Sequence, residues 1–238
     1  MQAEMIRYSL IIPAYNEEER IGPVLDGMRE TSIEYIFVCE GSDRTAEIVE
    51  EFSGHHPEFT IRCLRYMLRL GKGGGILAGL AEASAPDVGF MDADGSTSVD
   101  QMIDLFRMLN SVDGAIGSRW VPGSRIDIPQ SLVRRIQSRV FNTLIRALFD
   151  LPYQDTQCGA KVFHRSALDP VLGKIISRGF EFDVELLWRL NRAGSRVMEC
   201  PIVWKDMGHS RVRTSDTLLM LTRLIRIRIR GDMGETSG

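Results

Sequence analysis

The 238-residue chain is poor in sulfur and imidazole, with four cysteines and four histidines. Cys39, Cys63, Cys158 and Cys200 are scattered, and no two form a C-x-x-C pair. That argues against a zinc site or a disulfide framework and favours reduced thiols in a cytosolic setting. No apolar run approaches the roughly 20 residues that span a bilayer. The start, MQAEMIRYSLIIPAY followed by Glu17 to Glu19, lacks the pattern of a signal peptide. No repeat, low-complexity segment or interdomain linker interrupts the chain. What remains is an ordinary globular composition, 44% hydrophobic and 26% charged. The charge is unevenly spread. Residues 1–118 carry 9 Lys/Arg against 20 Asp/Glu, and residues 119–238 carry 20 against 12, for an overall −3. A basic half on an otherwise acidic chain implies an anionic partner there: nucleic acid, phosphates or a membrane surface.

Residues 1–120 alternate between two periodicities. Strands are expected at 8–12, 34–39, 60–66, 87–91 and 113–119, and helices at 17–31, 43–52, 75–84 and 98–109. Ser98 followed by Gln101 has the spacing of a capping box. Such alternation predicts a mainly parallel sheet wrapped by helices, with ligands beyond the carboxyl ends of the strands. In the second half an amphipathic helix is expected over 129–150, with Leu132, Val133, Ile136, Val140, Leu144 and Leu148 on one side. Another is expected over 180–193, and RVMEC and PIVWK read as short strands. Residues 214–230 end in alternating Ile and Arg.

Several stretches carry chemistry. At 88-VGFMDADGSTS-98 a strand ends in Asp92 and Asp94, which share a face because extended side chains alternate. Two such carboxylates, with a diphosphate, suit Mg2+ or Mn2+; the competing reading is a capped turn. The stretch 13-PAYNEEE-19 is either an anion-binding helix start or a plain strand-to-helix turn. The stretch 71-GKGGG-75 fits neither a Walker A loop nor G-x-G-x-x-G. It is either a glycine turn presenting Lys72 or a helix start. The polar cluster 155-DTQCGAKVF-163 leads into a strand and is, by itself, a well-bonded turn. The basic residues around His209, Arg211 and Arg213 are either a phosphate-holding loop or a solvated one.

Together these stretches resemble the family 2 glycosyltransferases, within them the polyprenyl- and dolichyl-phosphate hexosyltransferase branch. The resemblance rests on IIPAYNEEERI (11–21), EGSDRTAEIV (40–49), GKGGG (71–75), MDADGS (91–96), GSRW (117–120), DTQCGAKVF (155–163), FEFDVELL (180–187) and the Trp204-to-Val212 stretch. It implies the α/β GT-A nucleotide-sugar fold. It also implies a transferase domain over 1–213, with a nucleotide half at 1–120 and an acceptor half at 121–213, then a basic amphipathic segment at 214–238. By motif, Pro13, Ala14, Tyr15, Glu17, Glu40, Lys72, Asp92 and Ala93 would contact the nucleotide. Asp92 and Asp94 would bind the metal, Asp94 more firmly, and Arg119, Lys161 and Arg211 would hold phosphates. Two positions depart from the family. Glu40 stands where an Asp reads the base, and Leu77 stands where glucosyl-transferring members carry Arg.

The implied reaction moves a hexose from GDP-mannose or UDP-glucose to a polyprenyl or dolichyl phosphate, with inversion. The acceptor phosphate, with a second pKa of about 6, needs no strong general base. The expected place is the cytoplasm, peripherally on an anionic membrane face that helix 129–150 and segment 214–230 would touch; no nucleic-acid partner is expected. The alternatives are a sugar-nucleotide nucleotidyltransferase and a silent nucleotide-sugar-binding protein.

Overall fold

The computed structural model describes residues 6–128, 132–205 and 214–235, with side chains at 6–127, 139–205 and 219–229. The apolar runs of the first half form strands β1 (Tyr8–Tyr15), β2 (Ile33–Glu40), β3 (Thr60–Tyr66), β4 (Asp87–Phe90) and β5 (Gly114–Ser118). Between them lie helices α1 (Gly22–Asp26), α2 (Thr45–His55), α3 (Lys72–Glu82) and α4 (Val99–Met108). The second half adds β6 (Arg125–Ile128), α5 (Leu132–Phe149), β7 (Lys161–His164), α6 (Arg165–Leu172), α7 (Phe182–Arg192), β8 (Val197–Pro201), β9 (Val203–Lys205) and α8 (Thr214–Glu235).

The main sheet has seven strands in the order β3-β2-β1-β4-β7-β5-β8, and β6 and β9 form a separate two-stranded sheet. All main-sheet pairings are parallel except those of β7, which runs antiparallel to both β4 and β5. The alternation of β1 splits the core. Leu10 and Ile12 join Tyr35, Phe37, Val49, Met102 and Phe106 on one face. Ile11 joins Ile36, Val38, Ile76, Phe90 and Phe182 on the other. Each such side chain, fully buried, contributes about 1.5–3 kcal/mol.

Three expectations need correction. The helix expected over 17–31 is only five residues long. Residues 18–20 form a turn instead, tied to the start of α2: Glu17 N donates to Thr45 Oγ1 and Glu18 N to Asp43 Oδ2. Second, the parallel order expected from the alternation is interrupted by one antiparallel strand, because β7 inserts between β4 and β5. Third, the apolar face of α5 is rotated. Ile145 and Phe149 are buried, whereas Val140 and Leu144 face outward at 64% and 47% exposure. On α8, Met220, Leu224 and Ile227 pack into the core, while Leu219, Ile225 and Ile229 are exposed. Among the described residues no helix is long and apolar enough to cross a membrane.

Candidate active site

The carboxyl ends of β1, β2 and β4 meet at one rim. Tyr15 pairs with Glu40 across β1 and β2, and β4 runs beside β1 up to the Ile11–Phe90 pair. Met91 N donates to Ile11 O and ends the pairing. The next residues, Asp92 to Asp94, therefore stand just beyond the sheet. Ala93 between them is buried, while the Asp92 and Asp94 side chains keep 37% and 31% exposure.

The two acids have different neighbours. Asp94 Oδ1 accepts from Ser96 N at 3.0 Å, and its Oδ2 lies 3.9 Å from Arg20 Nη1. Arg20 is itself held on Glu17 by two bonds of 2.7 Å. Glu17 thus faces Arg20, and Arg20 connects it to Asp94. Asp92 Oδ1 lies 3.0 Å from Lys72 Nζ, and a Cβ at position 159 would collide with Asp92 Oδ2. Only glycine lets the 155–163 cluster pass so close.

Lys72 bridges from Asp92 to Asp183 Oδ2 at 2.9 Å, and Asp183 Oδ1 takes Lys161 Nζ at 2.5 Å. Burial disfavours charge on Lys72, but Asp183 and Asp92 outweigh it and raise its pKa. Burial likewise opposes ionisation of Asp183, yet Lys161 and Lys72 hold its carboxyl below the ordinary range. Lys161 is completely buried and also donates to the Cys158 carbonyl. Its expected contact with a phosphate is therefore a correction. This ammonium is walled inside the protein and is the partner of Asp183.

Arg119, at the end of β5, is clamped on Asp155 through Nε at 2.7 Å and Nη2 at 2.8 Å, with its backbone N at 3.0 Å. Burial opposes both charges, but each raises the other's ionisation, so Asp155 is depressed and Arg119 elevated. Glu199 fixes Asp155 in turn by accepting from the backbone N of Gln154 and Asp155. Trp120 and Trp204 flank the Arg119 guanidinium at 5.6 and 5.4 Å, and Arg139 lies 4.4 Å from the Trp120 ring.

The glycine stretch before α3 is not an open phosphate cradle. Glu40 Oε2 accepts from Leu70 N and Gly71 N, while Gly73 N and Gly74 N donate to the carbonyls of Gly179 and Arg178. The glycines serve close packing instead. A Cβ at Gly73 would strike Phe182, and one at Gly75 would lie 2.8 Å from Glu40 Oε1 and 3.1 Å from Pro13. Burial raises the pKa of Glu40, against the two amides and Arg69, which lower it. Beside it, Arg69 covers the Tyr15 ring at 4.2 Å.

The structure thus gathers Pro13, Tyr15, Glu40, Lys72, Asp92 and Asp94 at one rim, with Arg119 at the end of β5. Ala14 and Ala93 turn their side chains into the core, leaving only their backbone for a nucleotide. Arg211 and Arg213 lie outside the described residues. Four participants had no assigned role in the sequence: Arg20, Asp155, Asp183 and Glu199. Asp155 and Asp183 sit inside the two most specific motifs, DTQCGAKVF and FEFDVELL. Among the described residues no group of three or more His, Cys, Asp or Glu could hold a metal ion.

A mostly parallel sheet flanked by helices, with an acidic pair past a central strand, defines the GT-A class of glycosyltransferase fold. The chain belongs to glycosyl transferase family 2, which matches residues 9–172; it is a glycosyltransferase. It is 30% identical to a dolichyl-phosphate beta-glucosyltransferase of Trichomonas vaginalis, over 93% of this chain and 70% of that one. It is 28% identical to the polyprenol monophosphomannose synthase of Mycolicibacterium smegmatis, over 98% and 91%. Among solved structures, a mannosyltransferase from Pyrobaculum calidifontis in complex with GDP-Man and Mn2+ superposes with a TM-score of 0.64. It is 17% identical and matches 95% of this chain and 65% of that one.

Proposed function

We propose that the chain transfers a hexose from a nucleotide-diphosphate sugar to a polyprenyl phosphate at a membrane surface. The observation that carries the reading is the rim itself: Asp94 partly exposed beyond β4, with the Asp92–Lys72–Asp183 bridge alongside. The two relatives' names supply the acceptor class. The exposed apolar residues of α5 and α8, Val140, Leu144, Leu219, Ile225 and Ile229, support contact with a lipid surface.

A hard divalent cation would be held by the partly exposed Asp94 with the donor's diphosphate oxygens as its other ligands, since Asp92 is engaged by Lys72. Mg2+ or Mn2+ bound there would neutralise the charge that develops on the departing nucleoside diphosphate. Lys72, held beside Asp92, adds a fixed positive charge at the same rim. Tyr15 and Pro13 line the nucleotide side. Arg119, fixed by Asp155 and flanked by two indoles, orients the acceptor phosphate, a bidentate task suited to guanidinium. The acceptor is already dianionic at neutral pH, so alignment is the main demand.

The test titrates UDP- and GDP-sugars with Mn2+ and follows nucleoside diphosphate release on adding polyprenyl phosphate. One donor class should give release, and Asp94→Ala should lower it by on the order of 100-fold or more together with metal-dependent nucleotide binding. Absence of release with every donor, or undiminished turnover in Asp94→Ala, overturns the proposal.

A further inference from the structure

Gln101 has partners that its place in a helix cap does not require. It stands three residues after Ser98, the N-cap of α4, whose Oγ accepts from Gln101 N. In a capping box the third-position side chain returns to the backbone N–H of the cap. Here the carboxamide leaves that N–H, and while its Nε2 still donates to Ser98 Oγ at 3.3 Å, the group also reaches β9. Its Oε1 accepts from Val203 N at 2.5 Å, and its Nε2 donates to Val203 O at 2.9 Å. One side chain thus imitates a neighbouring strand, on the edge of β9 that β6 does not use. A three-residue strand has little pairing of its own.

Two contacts hang on that strand. Lys205 N donates to Ser96 O at 3.0 Å, and Ser96 N donates to Asp94 Oδ1. Trp204 stands against the Arg119 guanidinium at 5.4 Å. β9 therefore joins the metal-binding loop to the arginine assigned to the acceptor, and Gln101 fastens β9 to α4.

We propose that Gln101 is a positioning residue for the acceptor phosphate: by holding β9 it sets Trp204 against Arg119 and so orients the guanidinium. It touches no reacting atom. The inference rests on the polyprenyl-phosphate reading above.

Gln101→Met keeps length and volume and removes both bonds to Val203 together with the longer side-chain bond to Ser98 Oγ, while the backbone cap from Gln101 N remains. Gln101→Glu keeps the bond from Val203 N and loses the donation to Val203 O. The full chain, with nucleoside diphosphate and Mn2+, is titrated with citronellyl phosphate by calorimetry, and KM and kcat are measured separately for donor and acceptor. Gln101→Met should weaken citronellyl phosphate binding, and raise acceptor KM, by on the order of tenfold for two lost hydrogen bonds. Nucleotide affinity and kcat should stay within about twofold of wild type, because the Lys205 N–Ser96 O bond beside Asp94 is backbone to backbone and does not involve the Gln101 side chain, and Gln101→Glu should fall between. Equal acceptor affinity in wild type and variant overturns the role. So does a parallel loss of donor and acceptor binding, which marks a merely structural residue. If Gln101→Met does not fold, Gln101→Glu decides by the same split. A wild-type protein that binds nucleotide but not citronellyl phosphate overturns the acceptor reading itself, and this role with it.

Discussion

The two ends of the main sheet both carry acids, but they are held differently. At the amino ends, Glu34 receives Ser9 Oγ at 2.5 Å, Ser84 N at 2.5 Å and Ser84 Oγ at 2.7 Å. Asp87 meets His164 Nδ1 at 2.6 Å, and His164 Nε2 lies 2.8 Å from Leu109 O. Glu34 is saturated by hydroxyl and amide donors and Asp87 by one imidazole, and these bonds staple loops to strands. At the carboxyl ends, Asp92, Asp94, Asp155 and Asp183 face Lys72, Arg20, Arg119 and Lys161. Lysine and arginine side chains balance the acids there. Charge that is balanced across elements can be redistributed when an anionic substrate arrives; a hydroxyl-saturated carboxylate offers nothing comparable.

The strongest way to break this contrast is Asp183→Asn. It leaves Lys72 and buried Lys161 against a neutral amide, and urea denaturation should show a loss of about 3 kcal/mol or more. Nucleotide affinity should fall too, because Lys72 is released from its place beside Asp92. The depressed Asp183 pKa contributes stability that is present above the unfolded value of about 3.9 and is lost as pH falls through the lower folded value. The variant should lack that acid limb; an unchanged denaturation midpoint would make the two ends equivalent. At the opposite end, Glu34→Gln should cost about 1–2 kcal/mol and leave nucleotide binding untouched. Burial opposes the Glu34 charge, but its hydroxyl and amide donors hold the pKa low, so this contribution is also lost toward acid pH. Reduced nucleotide affinity in that variant would sink the idea that the amino end is only structural. The smallest effect belongs to His164→Gln. Burial works against its charge, yet Asp87 and the Leu109 carbonyl raise its pKa. Its contribution is complete below about pH 6.5 and disappears as pH rises through the raised folded value. After solvent screening it amounts to about 0.5 kcal/mol at most. Stability curves of wild type and variant should converge toward alkaline pH, and a gap that widens there would refute the assignment.

The first half of the chain was far more legible in the sequence than the second, for a physical reason. Parallel strand–helix units are local, so β1 to β5 and α2 to α4 fall within a few residues of where periodicity puts them. Asp92 and Asp94 stand past β4 because the apolar run simply ends. The 17–31 helix is shortened because residues 18–20 form a turn, with the Glu17 and Glu18 amides held by Thr45 and Asp43, a contact across 25 or more residues. Insertion of β7 depends on pairing with β4 and β5 together, which no window of sequence contains. The same holds for Lys161. Its motif marked it as important, but only its meeting with Asp183 in α7 shows a structural ammonium instead of a phosphate ligand. The outward turn of Val140 and Leu144 agrees with the side of α5 expected to meet a membrane, whereas the burial of Ile145 and Phe149 depends on long-range packing.

The meeting of Glu40 and Gly75 ties two positions that lie on different elements. Glu40 is long enough to reach the amides of Leu70 and Gly71, and its other oxygen fills the space a methyl group on residue 75 would need. The pair shares a single volume. A shorter acid at 40 would remove the tightest of the contacts that alanine at 75 would make, leaving Pro13 to give by a few tenths of an ångström, while alanine at 75 alone would push the carboxylate off the loop. The two substitutions should therefore be strongly non-additive, so the base-side rim can be redesigned only by changing both residues in one step.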